Sequence, residues 1–410
     1  MALDYDLIVV GGGPAGCAVA RDVATAGFKV LVVEEHHCVG EPLQCSGLIS
    51  ARTMEISRVS PRVVRRSLHG ARVHAPDGQV LDLTGKKAYA LAIDRVAFDL
   101  DLAAQAGDAG AELLTGARVD SLEYVQGGVC LNLAGGRRAQ KAPGAVTCRL
   151  VVGADGHNSL VASWLGLPAM CEKVPLFAAE VELPGHDDQA VDLFLGRSVA
   201  PGWFGWVIPT GNGTARVGAG SLPGGAGPGP RQAFERLREM HPGIFRGLRI
   251  VKTTGGVVPI GIRSRTFGER ALLVGDAACH VKPISGGGLY FGLKAAGICA
   301  EAAVAALTAD NCSEEFLSSY QRAWESTIGL EIRCGLHHRE VFLRMADREM
   351  GNIISFFNNP YWRRLILKHG DLDHHSVIAG RLSLAPPWAQ RFMYGGLKVL
   401  MDFRCATSLS

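Results

Sequence analysis

The sequence has no block of like charge. Lys and Arg number 42 against 39 Asp and Glu, a formal net charge of +3 over 410 residues. That balance gives no electrostatic case for nucleic acid, which needs a clustered basic face. The 11 cysteines form no C-x-x-C pair. Their scatter offers no spacing for a disulfide framework or a zinc site and fits free thiols in a reducing cytoplasm. The start, MALDYDLIVV, has no basic run ahead of its apolar stretch, so no secretory signal is expected. The most apolar long stretch, 289–309, is interrupted by Lys294 and Glu301 and dominated by Ala and Gly. It reads as a buried helix rather than a membrane span. Internal repeats and long low-complexity tracts are also missing.

What remains is an ordinary globular composition, 48% apolar and 20% charged, long enough for two or three packed units. The mean hydropathy of +0.15 leans toward a large core, an apolar substrate or a membrane-surface habit.

Residues 5–10 (YDLIVV) read as a buried strand, 14–26 as a helix and 29–33 as the next strand, ending at Glu34. Between the first two lies Gly11-x-Gly13-x-x-Gly16, with Pro14 and Ala15 opening the helix. The first glycine allows a tight turn, the second lets backbone approach a pyrophosphate, and the third lets helix and strand pack closely. The helix N-terminus offers free N–H groups and a positive dipole end to an anion. Glu34 sits where a carboxylate binds a ribose hydroxyl pair and disfavours a 2′-phosphate. Such a unit binds either NAD or FAD.

Further on, 70–83 alternates around Pro76-Asp77-Gly78, a hairpin signal. Ile93-Asp94-Arg95 opens a helix to about 107. Strands are expected at 112–114, 117–124, 129–133 and 149–152, the last ending in Gly153-Ala154-Asp155-Gly156. From 174 to 221 the pattern is antiparallel β, and 222–230 is a Gly/Pro loop. A strand at 271–274 leads into Gly275-Asp276. Gly286-Gly287-Gly288 starts a helix at Leu289 that runs to about 307, and 313–400 is mainly helical.

Asp94-Arg95, Gly153-Ala154-Asp155-Gly156 and Gly275-Asp276 stand in the order found in flavoproteins of the p-hydroxybenzoate hydroxylase fold group, which the chain resembles. The resemblance implies FAD. It places Asp276 at the flavin's ribityl chain, Asp155 near the nucleotide half and Arg95 against the cofactor, and adds Val119 and Leu289 to the cofactor set. The amides of Gly287 and Gly288 could meet the flavin pyrimidine edge and stabilise a reduced, anionic ring.

Pro42-Leu43-Gln44-Cys45-Ser46-Gly47 resembles the P-x-x-C-G-[GE] stretch of the geranylgeranyl reductase family, with Ser46 in place of the usual glycine. Residues 201–209 (PGWFGWVIP) resemble that family's aromatic motif, and Gly370-Asp371-Leu372-Asp373 a further segment. The resemblance covers most of residues 1–380. It implies an FAD-dependent reductase that saturates C=C bonds of a geranylgeranyl-type chain by hydride transfer, with Cys45 by the flavin in a catalytic or orienting role. The alternative is a flavin monooxygenase or halogenase of the same fold. Phe204 breaks the halogenase W-x-W-x-I-P pattern, and Lys86 or Lys87 reads better as surface charge than as the halogenase lysine. A third alternative is a flavin-binding electron carrier.

The expected architecture is α/β (α+β overall). A Rossmann-like FAD-binding domain takes 1–170 with 271–310 and carries a hairpin insert at about 65–92. An antiparallel β substrate domain takes 171–270, and a helical region takes 311–410. Trp203, Phe204 and Trp206 are expected on one strand, Trp203 facing away from the other two, with Trp203 and Trp206 as substrate-contact candidates. No metal site is expected: the histidines, including His374-His375 beside Asp371 and Asp373, lack ligand spacing. No second G-x-G-x-x-G follows, so the electron donor is NAD(P)H bound transiently or a redox protein. Residues 386–403 mix aromatic, Met and basic residues and either pack among the C-terminal helices, the preferred reading, or lie on a bilayer. The location expected is cytoplasmic, with peripheral membrane contact left open.

Overall fold

The computed structural model describes residues 2–135, 144–169, 172–186, 189–222 and 227–377. The strand Tyr5–Val10 lies near the centre of an eight-stranded sheet. It pairs in parallel with Val30–Glu34 and with Ala145–Gly153. Glu112–Thr115 and Ala271–Leu273 extend the parallel run on either side. The hairpin Ala117–Val125/Gly128–Gly135 adds antiparallel to Ala145–Gly153.

Successive side chains of a strand point to opposite faces, and here both faces are covered. Leu7 and Val9 pack in one core with Phe98, Leu102, Ala296 and Ala300, from the helices Arg95–Asp108 and Leu289–Thr308. Ile8 and Val10 pack in the other, against the hairpin through Leu122 and Leu131. Burial on both sides is why YDLIVV reads as a continuous apolar run. Leu289–Thr308 is long and apolar enough to cross a membrane, but 56% of its apolar window is buried inside the protein, and it lies against Pro14–Thr25 as a core helix.

The second sheet has seven strands, in the order Arg249–Ile260, Glu172–Glu182, Thr214–Gly220, Gly205–Gly211, Val191–Phe194, Ala71–His74, Val80–Asp82. All neighbours are antiparallel except Val191–Phe194 with Ala71–His74. The insert at about 65–92 therefore splits. Its outer strands Val64–Leu68 and Ala90–Ile93 join Leu48–Ile49 in a three-stranded sheet, while its hairpin extends the second large sheet. Helix Pro230–Met240 covers one face of that sheet through Phe234 and Leu237. The other face, carrying Leu193, Trp206 and Ile208, looks into a cavity. Helices Glu314–Trp324, Leu330–Arg344, Asp347–Phe357 and Pro360–His369 follow. Residues 386–403 lie outside the described residues.

Candidate active site

The turn after the first strand is shaped by steric necessity. Gly11 has φ +104, and a Cβ there would lie 2.4 Å from the Ala154 carbonyl oxygen. On Gly16 a Cβ would lie 2.1 Å from the Gly11 oxygen and 3.2 Å from Val9 Cγ1, whereas on Gly13 it would meet nothing within 4 Å. Gly13, Pro14 and Ala15 border a cavity of about 340 Å³. Gly13 caps helix Pro14–Thr25 without a side-chain hydrogen bond, so the amides of the first turn face open space as an anion site requires. Glu34 Oε2 accepts the Gly12 N–H at 2.7 Å and Oε1 the His36 N–H at 2.9 Å.

Opposite this turn stand charges with few partners. Asp94 caps its helix by accepting the Ala97 N–H at 3.0 Å, and this aims Arg95 into the cavity. Arg95 donates to Asp99 at 3.0 and 2.7 Å. Burial lowers its pKa, but the Asp99 carboxylate and the neighbouring Cys45 sulfur outweigh that and raise it, keeping the guanidinium charged. Gly275 has φ +66 and brings backbone against Ala15, a Cβ there lying 3.1 Å from that of Ala15. Burial pushes the Asp276 carboxyl up to about 6 against the pull of Arg95, and it accepts no hydrogen bond from the described residues. Gly288 and Leu289 border the same cavity, and Gly288 caps its helix without a side-chain bond. Uncapped amides, open space before Gly13 and an unpartnered aspartate together fit a dinucleotide cofactor.

The Cys45 loop divides this cavity from a second one of about 610 Å³. Gln44, Cys45, Val258 and Gly286 border both. The loop is tied down at several points. Cys45 Sγ accepts the Gly47 N–H at 3.4 Å, and Gly47 O accepts the Ile93 N–H at 2.9 Å. Arg216 Nη1 donates to Ser46 O at 3.0 Å and to Ile93 O at 2.8 Å. Gly47, at φ +66, leaves the room that Arg216 fills: a Cβ there would lie 2.1 Å from Nη1.

The second cavity is largely apolar, walled by Leu176, Ala178, Leu193 and Ile208, with the aromatic motif at one side. Here the structure corrects the sequence reading. Trp203 and Phe204 precede the strand, which starts at Gly205, because the Trp203 N–H donates to Ala200 O at 3.0 Å in a turn with Gly202 at φ +71. Freed from strand alternation, Trp203, Phe204 and Trp206 all border this one cavity. Trp203 stacks on Phe204 at 5.1 Å, and Phe204 meets Trp206 edge-on at 6.0 Å. Trp206 Nε1 is buried without a hydrogen-bond partner among the described residues. Arg52, Lys87, Asp371, Asp373 and His375 also border the cavity. Burial, reinforced by Lys282, pulls the His375 pKa down to about 4, so its ring is neutral. Lys86 and Lys87 are exposed, and Lys87 Nζ lies 4.8 Å over the Tyr89 ring.

Several expected cofactor residues do not border the polar cavity, among them Asp155, Val119, Ser46 and Gly287. Asp155 Oδ2 accepts the Leu160 and Val161 N–H groups at 2.7 and 3.2 Å, capping a short helix, while Ala154, Gly156 and His157 border the cavity. Burial raises the Asp155 pKa. Val119 is 6% exposed in the core behind the sheet. Ser46 borders only the apolar cavity, and Gly287 leans away toward Lys282. Sequence reading missed Gln44, Arg216, Val258 and Lys282. Gln44 had a signal, inside the motif before Cys45, and so did Arg216, as the one charge in TARVGAG; the others had none. Among the described residues no group of three or more His, Cys, Asp or Glu is placed to hold a metal.

This fold, with its paired cavities, is that of flavoprotein oxidoreductases. Among solved structures, a geranylgeranyl bacteriochlorophyll reductase-like protein from Thermoplasma acidophilum superposes with TM-score 0.82 at 21% identity, over 98% of each chain. A halogenase solved with FAD superposes at 0.67 and 15%, over 99% of this chain and 93% of that one. The sequence model of the lycopene cyclase protein family matches residues 6–375. An uncharacterized protein of Methanocaldococcus jannaschii is 32% identical over 380 residues, 92% of this chain and 94% of that one. The digeranylgeranylglycerophospholipid reductase of Methanothrix thermoacetophila is 31% identical over 360 residues, 85% of this chain and 90% of that one. The chain belongs to the geranylgeranyl reductase family, within the group that the lycopene cyclase model describes.

Proposed function

We propose that the protein binds FAD in the polar cavity and saturates C=C bonds of a geranylgeranyl-type isoprenoid chain held in the apolar one. The observation that carries this reading is the meeting of the two cavities at Gln44, Cys45, Val258 and Gly286. Kinship with proteins named digeranylgeranylglycerophospholipid reductase supports the lipid class.

In this reading the Gly11–Gly16 turn and the helix behind it hold the pyrophosphate. Glu34 takes ribose hydroxyls, Asp276 the ribityl chain, and the amides at Gly288 and Leu289 the pyrimidine edge. Bound and reduced, FAD supplies the hydride. An isolated alkene takes hydride only as a proton reaches its other carbon. Cys45, at the junction and beside Arg95, is the group placed to pass that proton or to orient the ring. Trp203, Phe204 and Trp206 hold the chain and exclude water.

The division of labour we propose follows the sheets: 1–170 with 271–310 for cofactor, 171–270 with the inserted hairpin for substrate, and the described helices of the 311–410 region as a cover. Electrons come from NAD(P)H or a redox protein. The enzyme works in the cytoplasm with peripheral membrane contact. Free cysteines among the described residues support a reducing compartment. Helix Pro360–His369, which carries exposed Tyr361 and basic Arg364 and Lys368, borders the cavity through Ile366 and Leu367 and so supports the membrane contact.

The test is to reduce the flavin anaerobically and add a geranylgeranyl lipid. Flavin reoxidation with gain of two hydrogens by the lipid is expected; a product that needs oxygen would refute the reading. Cys45→Ala should keep its flavin and lose about a hundredfold or more in turnover, the low end of a general acid's contribution. Full turnover in that variant removes Cys45 from the mechanism.

A further inference from the structure

Behind the Gly286–Gly288 turn lies an ion pair that the reaction above does not use. Lys282 Nζ donates to Asp373 Oδ1 at 3.0 Å and to the Leu372 carbonyl at 2.9 Å. The two side chains are 7% and 1% exposed. Asp373 Oδ2 is buried with no hydrogen-bond partner among the described residues. A buried pair with one oxygen unsatisfied is a poor stabilising device, because desolvation offsets most of the attraction.

Its position points to a different role. A Cβ on Gly287 would lie 2.6 Å from Lys282 Cε and 3.2 Å from Nζ, so the ammonium end rests against the turn. The Gly286 N–H donates to Lys282 O at 2.9 Å, and the Lys282 N–H to Gly287 O at 3.2 Å, closing the loop around it. Gly286 and Gly288 border the polar cavity, whereas Asp373 borders the apolar one. The segment carrying Asp373 is itself pinned. Asp371 accepts from Arg52 at 2.6 Å and from the Asp373 N–H at 2.8 Å, and Ser376 bonds Glu331. A charge in so dry a place is weakly screened and acts on whatever lies across the turn.

We propose that Lys282, held by Asp373, sets the positive potential behind the Gly286–Gly288 turn and thereby tunes the reduction potential of the flavin in front of it. This rests on the FAD reading above. Lys282 is a tuning residue: it touches the turn, and the turn touches the cofactor. The positive potential favours the reduced, anionic ring, and Asp373 attenuates it.

The test is the midpoint potential of the FAD-loaded protein, measured by dye-coupled reduction. Lys282→Met should lower the ratio of reduced to oxidised flavin at a fixed ambient potential about tenfold, a downward shift of about 30 mV for a two-electron couple. Asp373→Asn leaves the ammonium uncompensated and should shift the potential upward by a similar amount. Lys282→Arg keeps the charge and should stay near the parent value. Opposite signs are the signature, since loss of a merely structural pair moves both variants the same way. Shifts of the same sign, or none, overturn the tuning role while leaving the FAD reading intact. A parent protein that takes up no FAD overturns both. If Lys282→Met does not fold, Lys282→Gln carries the same sign test.

Discussion

The two cavities are built on opposite terms. Around the polar one, backbone and fixed charges set the geometry: Gly11 and Gly16 tolerate no Cβ, Asp99 clamps Arg95, and the Asp276 carboxyl accepts no hydrogen bond from the described residues. Around the apolar one, side-chain bulk sets a volume, and most wall side chains are apolar. The first arrangement suits a ligand of one shape. The second suits a chain recognised by its lack of polarity, where fit is graded rather than all-or-none.

The contrast can be broken or sharpened by substitution, and the largest effect belongs to the glycine turn. Gly16→Ala drives a Cβ into the Gly11 carbonyl, a backbone atom that cannot rotate away. We expect the purified variant to lose its flavin absorbance and about 2 kcal/mol of unfolding free energy, typical of forced overpacking. A variant that stays yellow with unchanged melting would show that the turn has slack.

A smaller effect is expected across the junction. Leu193→Trp fills part of the apolar cavity from the strand beside Trp206. Turnover of a geranylgeranyl lipid should fall about tenfold, the discrimination that a few methylenes of lost space impose, with flavin content unchanged. Loss of flavin instead would mean that the cavities are not separable.

The smallest effect concerns pH. Burial raises Asp276 to about 6 from 3.8, so the folded apoprotein keeps a proton that the unfolded chain has released. That contribution is complete below the unfolded value and disappears as pH rises through 6. Asp276→Asn should therefore gain on the parent apoprotein by about 1 kcal/mol at pH 7.5, allowing for the partial openness of the site, and lose that gain near pH 4. Equal melting differences at both pH values would show that Asp276 ionises freely.

What the sequence disclosed follows the same divide. The glycine turn and Glu34 were legible because each answers a local demand, a tight turn and a strand end, whereas Gly275-Asp276 was legible only through the family resemblance. Arg95 was legible only through the family resemblance; the structure adds that Asp94 caps the helix that aims it. Pairing across distance was not. Nothing within 71–82 says which sheet the hairpin joins, and nothing near Lys282 announces Asp373, 91 residues on. The aromatic motif misled because period-two alternation holds only inside a strand, and Gly202 delays the strand's start to Gly205. Asp155 sits in a recognisable motif, yet its carboxylate serves the helix beside it, and the motif's backbone lines the cavity instead.

The parallel pairing of Ala71–His74 with Val191–Phe194 has a consequence for how this chain can be handled. Arg72 meets Asp192 across 120 residues of sequence, so a piece starting at 171 would expose a raw sheet edge where the hairpin belongs. The halves are stitched by each other's thread, and cutting between them at 170 should yield fragments that must find one another before either folds.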